Sequence, residues 1–410
     1  MKRLIGRIQA KGLRYWIRVT ALAALGIVAG RYLREHEYWL GSRYAVYRLM
    51  QNLRWEQPYA QSTFVVTVGD DDYWKGEFNA REPIRRDLLA HVLEKLSLAK
   101  AKAVAIDFDL ESPVPDGSIR EVPAYLDETI RLVSTMDSAT KRHTSVVLPS
   151  TIGYDKRGMY VLESDVYSGY PAPQDHFFKG YIALPPDARL VPLEITLAGG
   201  NALDSFALAA VRAYDGRAVA RIKNLNVFPY GGYIRPGLFP QMNVHDVLTS
   251  DTDAMSEKVA GKLVFVGANW HRYAWRDGPL VDTHMTPVGL IPGVFVHANY
   301  AEAIIDGSDL YQPMGEWLAY ILEVLVLFAV SLVFVAEMHG VRKIVWLTGL
   351  SLLFVVVAYV MLQNLGIYFD YLVPLVLLFA HFGIDKISEW RKIALDHIRN
   401  CQKITQEASA

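Results

Sequence analysis

Cysteine is almost absent. One thiol, Cys401, in 410 residues leaves no partner for an internal disulfide and no thiolate set for a multi-cysteine zinc site. Net charge is nearly absent as well. The 42 Lys and Arg stand against 43 Asp and Glu, a balance of −1, so the positive field that a nucleic-acid binder uses is missing. No solenoid-period repeat and no low-complexity linker interrupts the chain. What is present is apolar: 52% of residues are hydrophobic and 21% charged, which excludes a disordered chain and exceeds the usual apolar content of a soluble enzyme. The length is too great for one ordinary domain. These observations point to a membrane protein with a large water-soluble portion.

Three apolar stretches lie in the C-terminal quarter: Trp317 to Ala336, Ile344 to Leu362 without a single charge, and Tyr368 to Ile384, which contains Pro374. A helix needs roughly 17–25 such residues to cross a bilayer. Near the N-terminus, Val19 to Gly30 follows Lys2, Arg3, Arg7, Lys11, Arg14 and Arg18. This reads as a signal-peptide core or, in preference, an uncleaved anchor over residues 15–33. Charge bias orients the chain. Residues 1–14 stay inside and 34–314 lie outside. Crossings at 315–336, 342–362 and 367–385 follow, and the tail 386–410 is cytoplasmic. The expected location is a bacterial inner membrane with the large domain in the periplasm.

The exported region alternates strand and helix patterns. Thr63–Val68 is a β-branched run closed by Gly69 and Asp70, Asp71 and Asp72. Pro83 suits a first helical turn before Leu88, Leu89, Val92, Leu93 and Leu96 at helical spacing. Ala103–Leu110 is strand-like, Ala124–Met136 helical and Ser145–Leu148 strand-like again. Gly180–Leu184 and Lys262–Gly267 predict further strands; Ser205–Tyr214 and Gly293–Ile305 predict helices. The expected fold class is therefore an α/β exported domain, a parallel or mixed sheet with flanking helices, plus an α-helical membrane part with one N-terminal and three C-terminal transmembrane helices.

The stretch GKLVFVGANW…THMTPVGLIPGVFVHANYAEAII resembles the closing signature of the type-two CHASE domain, the extracytoplasmic sensor module of bacterial cyclases and histidine kinases. AVAIDFDLESP, GYIALPPDARLVPLEITL leading into SFALAAVRAY, and MNVHDVL fit the same pattern in the same order. The layout of one anchor, the sensor and three close membrane helices matches too, so the resemblance covers roughly residues 20–385. Relatives of this kind continue into a cyclase or kinase, whereas about 25 residues follow Ile384 here. The resemblance thus implies a sensor whose output belongs to another chain.

Two loops carry the candidate ligand-binding residues. In extended geometry Asp107, Asp109 and Glu111 project to one face while Ile106, Phe108 and Leu110 project to the other, and Asp70 to Asp72 end a second strand at the same sheet edge. Crowded carboxylates call for a cation, a basic group or solvation, with Arg81, Arg85 or Arg86 as neighbours. The loop after Lys262–Gly267 offers His271, Arg272, Arg276, Asp277, Asp282, His284 and Thr286. Pairing Arg272 or Arg276 with the acids would make a polar pocket for a small charged solute; surface roles are the plainer alternative. His297 reads as a core or capping histidine. Glu323 and Asp370 lie near the outer interface. In the tail, Ile387, Trp390, Ala394 and Ile398 recur at helical spacing as a stripe for partner contact, self-pairing or the bilayer surface.

The leading expectation is a non-catalytic receptor subunit that senses a solute or envelope partner and signals to a separate protein through its membrane helices. Its partners would be the lipid bilayer, that output protein and, plausibly, a second copy of itself, with no nucleic acid and no cofactor. The alternative is a structural or docking subunit of an envelope-spanning complex. A metal-dependent hydrolase built on the acidic strand ends is a third class, and whether those ends bind metal is open.

Overall fold

The computed structural model describes residues 59–110, 123–164, 176–184, 191–222, 228–229, 233–274, 278–286, 288–307, 310–313, 340–365 and 367–368, with single positions within 17–32, 317–325 and 387–399. The chain divides into two compact units, Tyr44–Gln312 and a second made of Met1–Arg43 with Pro313–Ala410.

The first unit is built on β1 (Thr63–Gly69), β2 (Ala103–Asp107), β3 (Ser145–Tyr154), β4 (Tyr160–Ser164), β5 (Phe177–Tyr181), β6 (Glu194–Thr196), β7 (Ala202–Asp204), β8 (Phe228–Pro229), β9 (Gln241–Asn243), β10 (Leu263–Asn269), β11 (Thr283–Thr286), β12 (Gly289–Pro292) and β13 (Leu310–Pro313). The main sheet runs β4-β3-β2-β10-β1-β9, with β5 also on β3. β4 alone runs antiparallel in it; the other pairings are parallel. The sheet is therefore mixed, and β10 separates β1 from β2.

Parity of residue number explains the layers. The registers pair Phe64 with Val264, Val66 with Val266, Val104 with Val264 and Val146 with Val104. Alternation then sends every even-numbered residue of four strands to one face. That face packs on α1 (Arg86–Leu98), α2 (Pro123–Lys141), α4 (Val244–Thr249) and α5 (Thr252–Val259). The odd face carries small residues, Ala103, Ala105 and Gly267, and receives α3 (Phe206–Ala220) and α6 (Gly293–Asp306). A Cβ at Gly267 would lie 2.6 Å from that of Val294, and one at Gly180 would lie 2.7 Å from the Phe206 Cα. Glycine at both positions is what lets α6 and α3 rest directly on the sheet.

Crossovers from β1 to β2 and from β9 to β10 move the same way along the sheet and place their helices on the first face. The crossing from β5 back to β9 moves the opposite way and places α3 on the second, as one common hand demands. β10 is followed by α6 on the second face, while its neighbours β1 and β2 lead to helices on the first. The chain diverges above and below the sheet at the carboxyl end of β10, which opens a crevice there.

Several boundaries differ from the expectation. The first helix begins at Arg86, and Pro83 stands before it, because the Glu128 carboxylate accepts the Arg86 N–H at 3.1 Å and also clamps Arg81. β2 stops at Asp107, the last residue that β10 pairs. Phe108 and Leu110 still join the first core, and Arg86, itself buried, donates to the Leu110 carbonyl. The expected strand Gly180–Leu184 is shifted to Phe177–Tyr181, and the segment from Met242 splits into β9 and α4.

The second unit includes α7 (Gly340–Leu365), 26 residues long, which covers the expected crossing 342–362, and β14 (Ile367–Tyr368). The expected crossings 15–33, 315–336 and 367–385 fall almost wholly outside the described residues, as do Glu323, Asp370 and Pro374. Side chains are described for part of α7 only. Among the residues so described, no helix runs long and apolar enough to cross a membrane.

Helix α6 is buried from Gly293 to Ile304, and its Glu302 carboxylate closes the near end of β1. It accepts from the backbone N–H groups of Gln61 at 2.7 Å, Ser62 at 3.0 Å and Thr63 at 2.8 Å, and from the Thr63 hydroxyl at 2.7 Å. Glu302→Ala is expected to lower stability by about 3 kcal/mol, read from the urea midpoint of the full chain, because it strands buried donors. Gly267→Ala is expected to cost about 2 kcal/mol in the same measurement through overpacking against Val294.

Candidate functional site

The carboxyl ends of β1, β10 and β9 frame a cavity of about 1060 Å³. Its wall is made by two loops tied together. After β1 the backbone enters a π-helical turn, Asp71–Lys75, a distortion that recurs at functional sites. The Asp70 carboxylate accepts from the His271 backbone N–H and faces its Nδ1, both at 2.8 Å. Asp72 accepts from the backbone N–H of Gly69 at 2.9 Å and of His245 at 3.3 Å, joining the β1 loop to α4. Beneath them Tyr73 stacks on Trp270, with ring centroids 4.1 Å apart and planes at 7°. The Trp74 indole N–H donates to the His271 carbonyl at 3.1 Å. Burial, and then Glu82, pushes the Tyr73 hydroxyl up to about 12.

Asp70, Asp71, Asp72, Glu77 and Asp246 line this cavity against Lys75, with His245 and His271. The excess of carboxylate makes the local potential negative, which favours a cationic occupant over an anionic one. Phe78, Val244, Leu248 and Leu280 supply apolar wall.

The remaining residues expected at the sheet edge gather elsewhere. Asp107 lies on the odd face of β2, toward α6, with its side chain 6% exposed. The His297 Nε2 is 3.9 Å from the Asp107 carboxylate. His284 Nε2 is 2.9 Å from Asp282, whose backbone carbonyl accepts the Gly293 N–H at 2.8 Å at the start of α6. A Cβ at Gly293 would collide with the Asp282 carboxylate, so glycine there admits the acid over the helix N-terminus. Burial, and secondarily Asp282, pushes the Asp107 carboxyl well above the usual range. Burial also holds the His297 imidazole down at about 4, against the opposing pull of Asp282.

The candidates thus separate into two groups. Asp70 belongs to the open cavity; Asp107, Asp282 and His284 gather in a second cluster around His297, the histidine expected in the core. Asp109 is exposed, and Glu111 and Arg276 lie outside the described residues. Arg272 is exposed, and no ion pair joins it to these acids among the described residues. Of the other arginines, Arg81 pairs with Glu128, Arg85 with Asp87, and Arg86 donates to Thr129 and Leu110. No group of three or more His, Cys, Asp or Glu among the described residues is arranged to hold a metal ion. In the tail, Ile387, Trp390, Ala394 and Ile398 are helical and exposed. His245 and Asp246 of the cavity carry no local signal of a site, because the β9–β1 pairing brings them to the β1 loop.

A mixed three-layer α/β/α domain with its polar cavity at the divergent carboxyl end of the sheet defines the class of fold. The CHASE2 domain matches residues 19–336, most of the chain, and the protein belongs to that family, whose domains are extracytoplasmic sensors. No curated protein and no solved structure matches the chain.

Replacing the tie between the two loops should open the cavity wall. Asp70→Ala is expected to cost about 2 kcal/mol, the worth of hydrogen bonds to a charged acceptor. Limited proteolysis should then cut the 270–280 segment faster than in wild type.

Proposed function

We propose that this protein is a non-catalytic sensor subunit of a bacterial inner membrane, and that the acidic cavity at the ends of β1, β9 and β10 is where its CHASE2 domain receives a solute. The observation that carries this reading is the cavity itself: about 1060 Å³, at the sheet edge where open α/β folds hold ligands, walled by loops from three different strands. A solute bridging the β1 loop and α4 would favour one arrangement of those loops over another, which is what a signal requires. The chain leads from α6 through β13 directly into the segment that begins at Pro313. On this reading four helical crossings anchor the domain, and the uncharged run Ile344–Leu362 within α7 supplies one of them. The output belongs to a separate protein, for which the exposed Trp390 stripe offers a contact.

A docking subunit of an envelope complex is the second reading. The β3–β4 hairpin favours it, since it exposes Tyr154, Met159 and Leu162 beyond the paired core of the sheet. The two separate by experiment. The full chain, purified from membranes, should melt higher with one class of small cationic solute and not with anionic ones, and Asp246→Lys should abolish the shift. Stoichiometric co-purification of an envelope protein without any solute response would replace the sensor by the docking subunit. Reporter fusions at Gly216 should be active only outside the cytosol; cytosolic activity overturns the topology for both.

A further inference from the structure

We propose that Asp107 and His297 form a proton-binding site bridging β2 and α6, in which Asp107 holds one proton and gives it up as pH rises. The argument starts from geometry. Asp107 is the last paired residue of β2 and continues the odd row of Ala103 and Ala105, so the fold turns it into the interior between sheet and helix. A carboxylate placed there needs donors, and the surroundings supply few. β10 contributes Gly267, with no side chain, whose Cβ position would lie 3.3 Å from the Asp107 Cβ. α3 contributes the Phe206 ring, 5.2 Å from the His297 ring. β5 leads to Ile182, whose backbone hydrogen-bonds the imidazole. α6 contributes His297, and the segment that runs into β11 contributes Asp282 and His284. His297 Nε2 stands at 3.9 Å, too far to satisfy an ionised carboxylate.

The cheaper solution is a neutral acid beside a neutral imidazole, one proton for the pair. Among the described residues Asp282 is the carboxylate that acts on both members of the pair, and it is half exposed at 51%. When the proton leaves Asp107 for solvent, a buried anion is left facing a second carboxylate. The separation falls on the Asp282 turn, which is held in the left-handed region at φ 50 and tops the N-terminus of α6. α6 is the helix that ties down β1 and leads to the second unit, so the proton would bias the element that connects the two along the chain.

The proton count gives a distinctive signature. His297, depressed from 6.5 to about 4, contributes stability that is complete above 6.5 and is lost as pH falls toward 4. Asp107, raised above 3.8, contributes stability that is complete below 3.8 and is lost as pH rises toward its folded value. In the part of the range from about 4 to 6.5 where Asp107 keeps its proton, the two cancel, and the folded pair binds as many protons as the unfolded pair.

Urea unfolding of the full chain from pH 4 to pH 9 tests this in wild type, Asp107→Asn and His297→Gln. While Asp107 keeps its proton, the pair should contribute no slope to wild type over the range from about 4 to 6.5. Relative to wild type, Asp107→Asn should gain stability with rising pH over the lower range, by about tenfold in the folding constant per pH unit. His297→Gln should lose stability by about the same factor over the same range. Parallel profiles for all three proteins overturn the proposal. So does a stabilisation by added Zn²⁺ that both variants abolish, which would make the cluster a metal site. Should a variant fail to fold, nitrogen NMR of the histidine-labelled wild type decides: a neutral His297 ring at pH 6 is expected, and an imidazolium refutes the assignment.

Discussion

One buried carboxylate organises the described unit. Glu302 sits on a helix that is enclosed along nearly its whole length, and it receives three consecutive backbone N–H groups at the entry to β1. The first residues of a strand and the side of a buried helix both leave polar groups that water cannot reach, and this single contact satisfies them together. Two more polar residues of the same helix work alike. Asn299 accepts from the Ile234 N–H at 2.6 Å and donates to the Ile234 and Phe295 carbonyls, and His297 reaches the Ile182 backbone. α6 is therefore apolar enough to be buried and polar enough to choose its register on the sheet.

With α6 seated on the odd face and the crossovers that leave β1 and β2 returning on the even face, the crevice at the end of β10 follows from chain direction alone. Two polar regions develop on either side of it, and they obey different physics. Toward β9 the carboxylates line an open cavity and are tied to backbone N–H groups, and together they shape a field. Toward β2 the carboxyl is enclosed beside a histidine, so neutrality is favoured over charge. A sensor of the CHASE2 family thereby has two places where its surroundings could change the energy of the same strands.

Much of the layered fold was legible in local pattern. β-branched runs ending in Gly or Asp gave β1 and β10, and leucines at helical spacing gave α1, because each must bury one face whatever its neighbours are. Boundaries were less legible. Pro83 looked like a helix start, but Glu128, 45 residues further along the chain, caps the N–H at Arg86 instead. The alternation through Asp107, Asp109 and Glu111 suggested a common acidic face, yet strand pairing ends at Asp107 and the buried and exposed acids part company there.

The amino-acid sequence by itself determined the principal strands and helices, that the strand ends carry acids, and that the chain carries the CHASE2 pattern, since all of these rest on neighbours within a few residues. The tertiary structure alone decided which acids meet. β10 is inserted between β1 and β2, so Asp70 was sent to His271 and Asp107 to His297, residues about two hundred positions away. Parallel strands meet only through long crossovers, and no local rule states which crossover lands beside which strand. That insertion is why one aspartate lines an open cavity while another, of the same type at an equivalent strand end, is enclosed beside an imidazole.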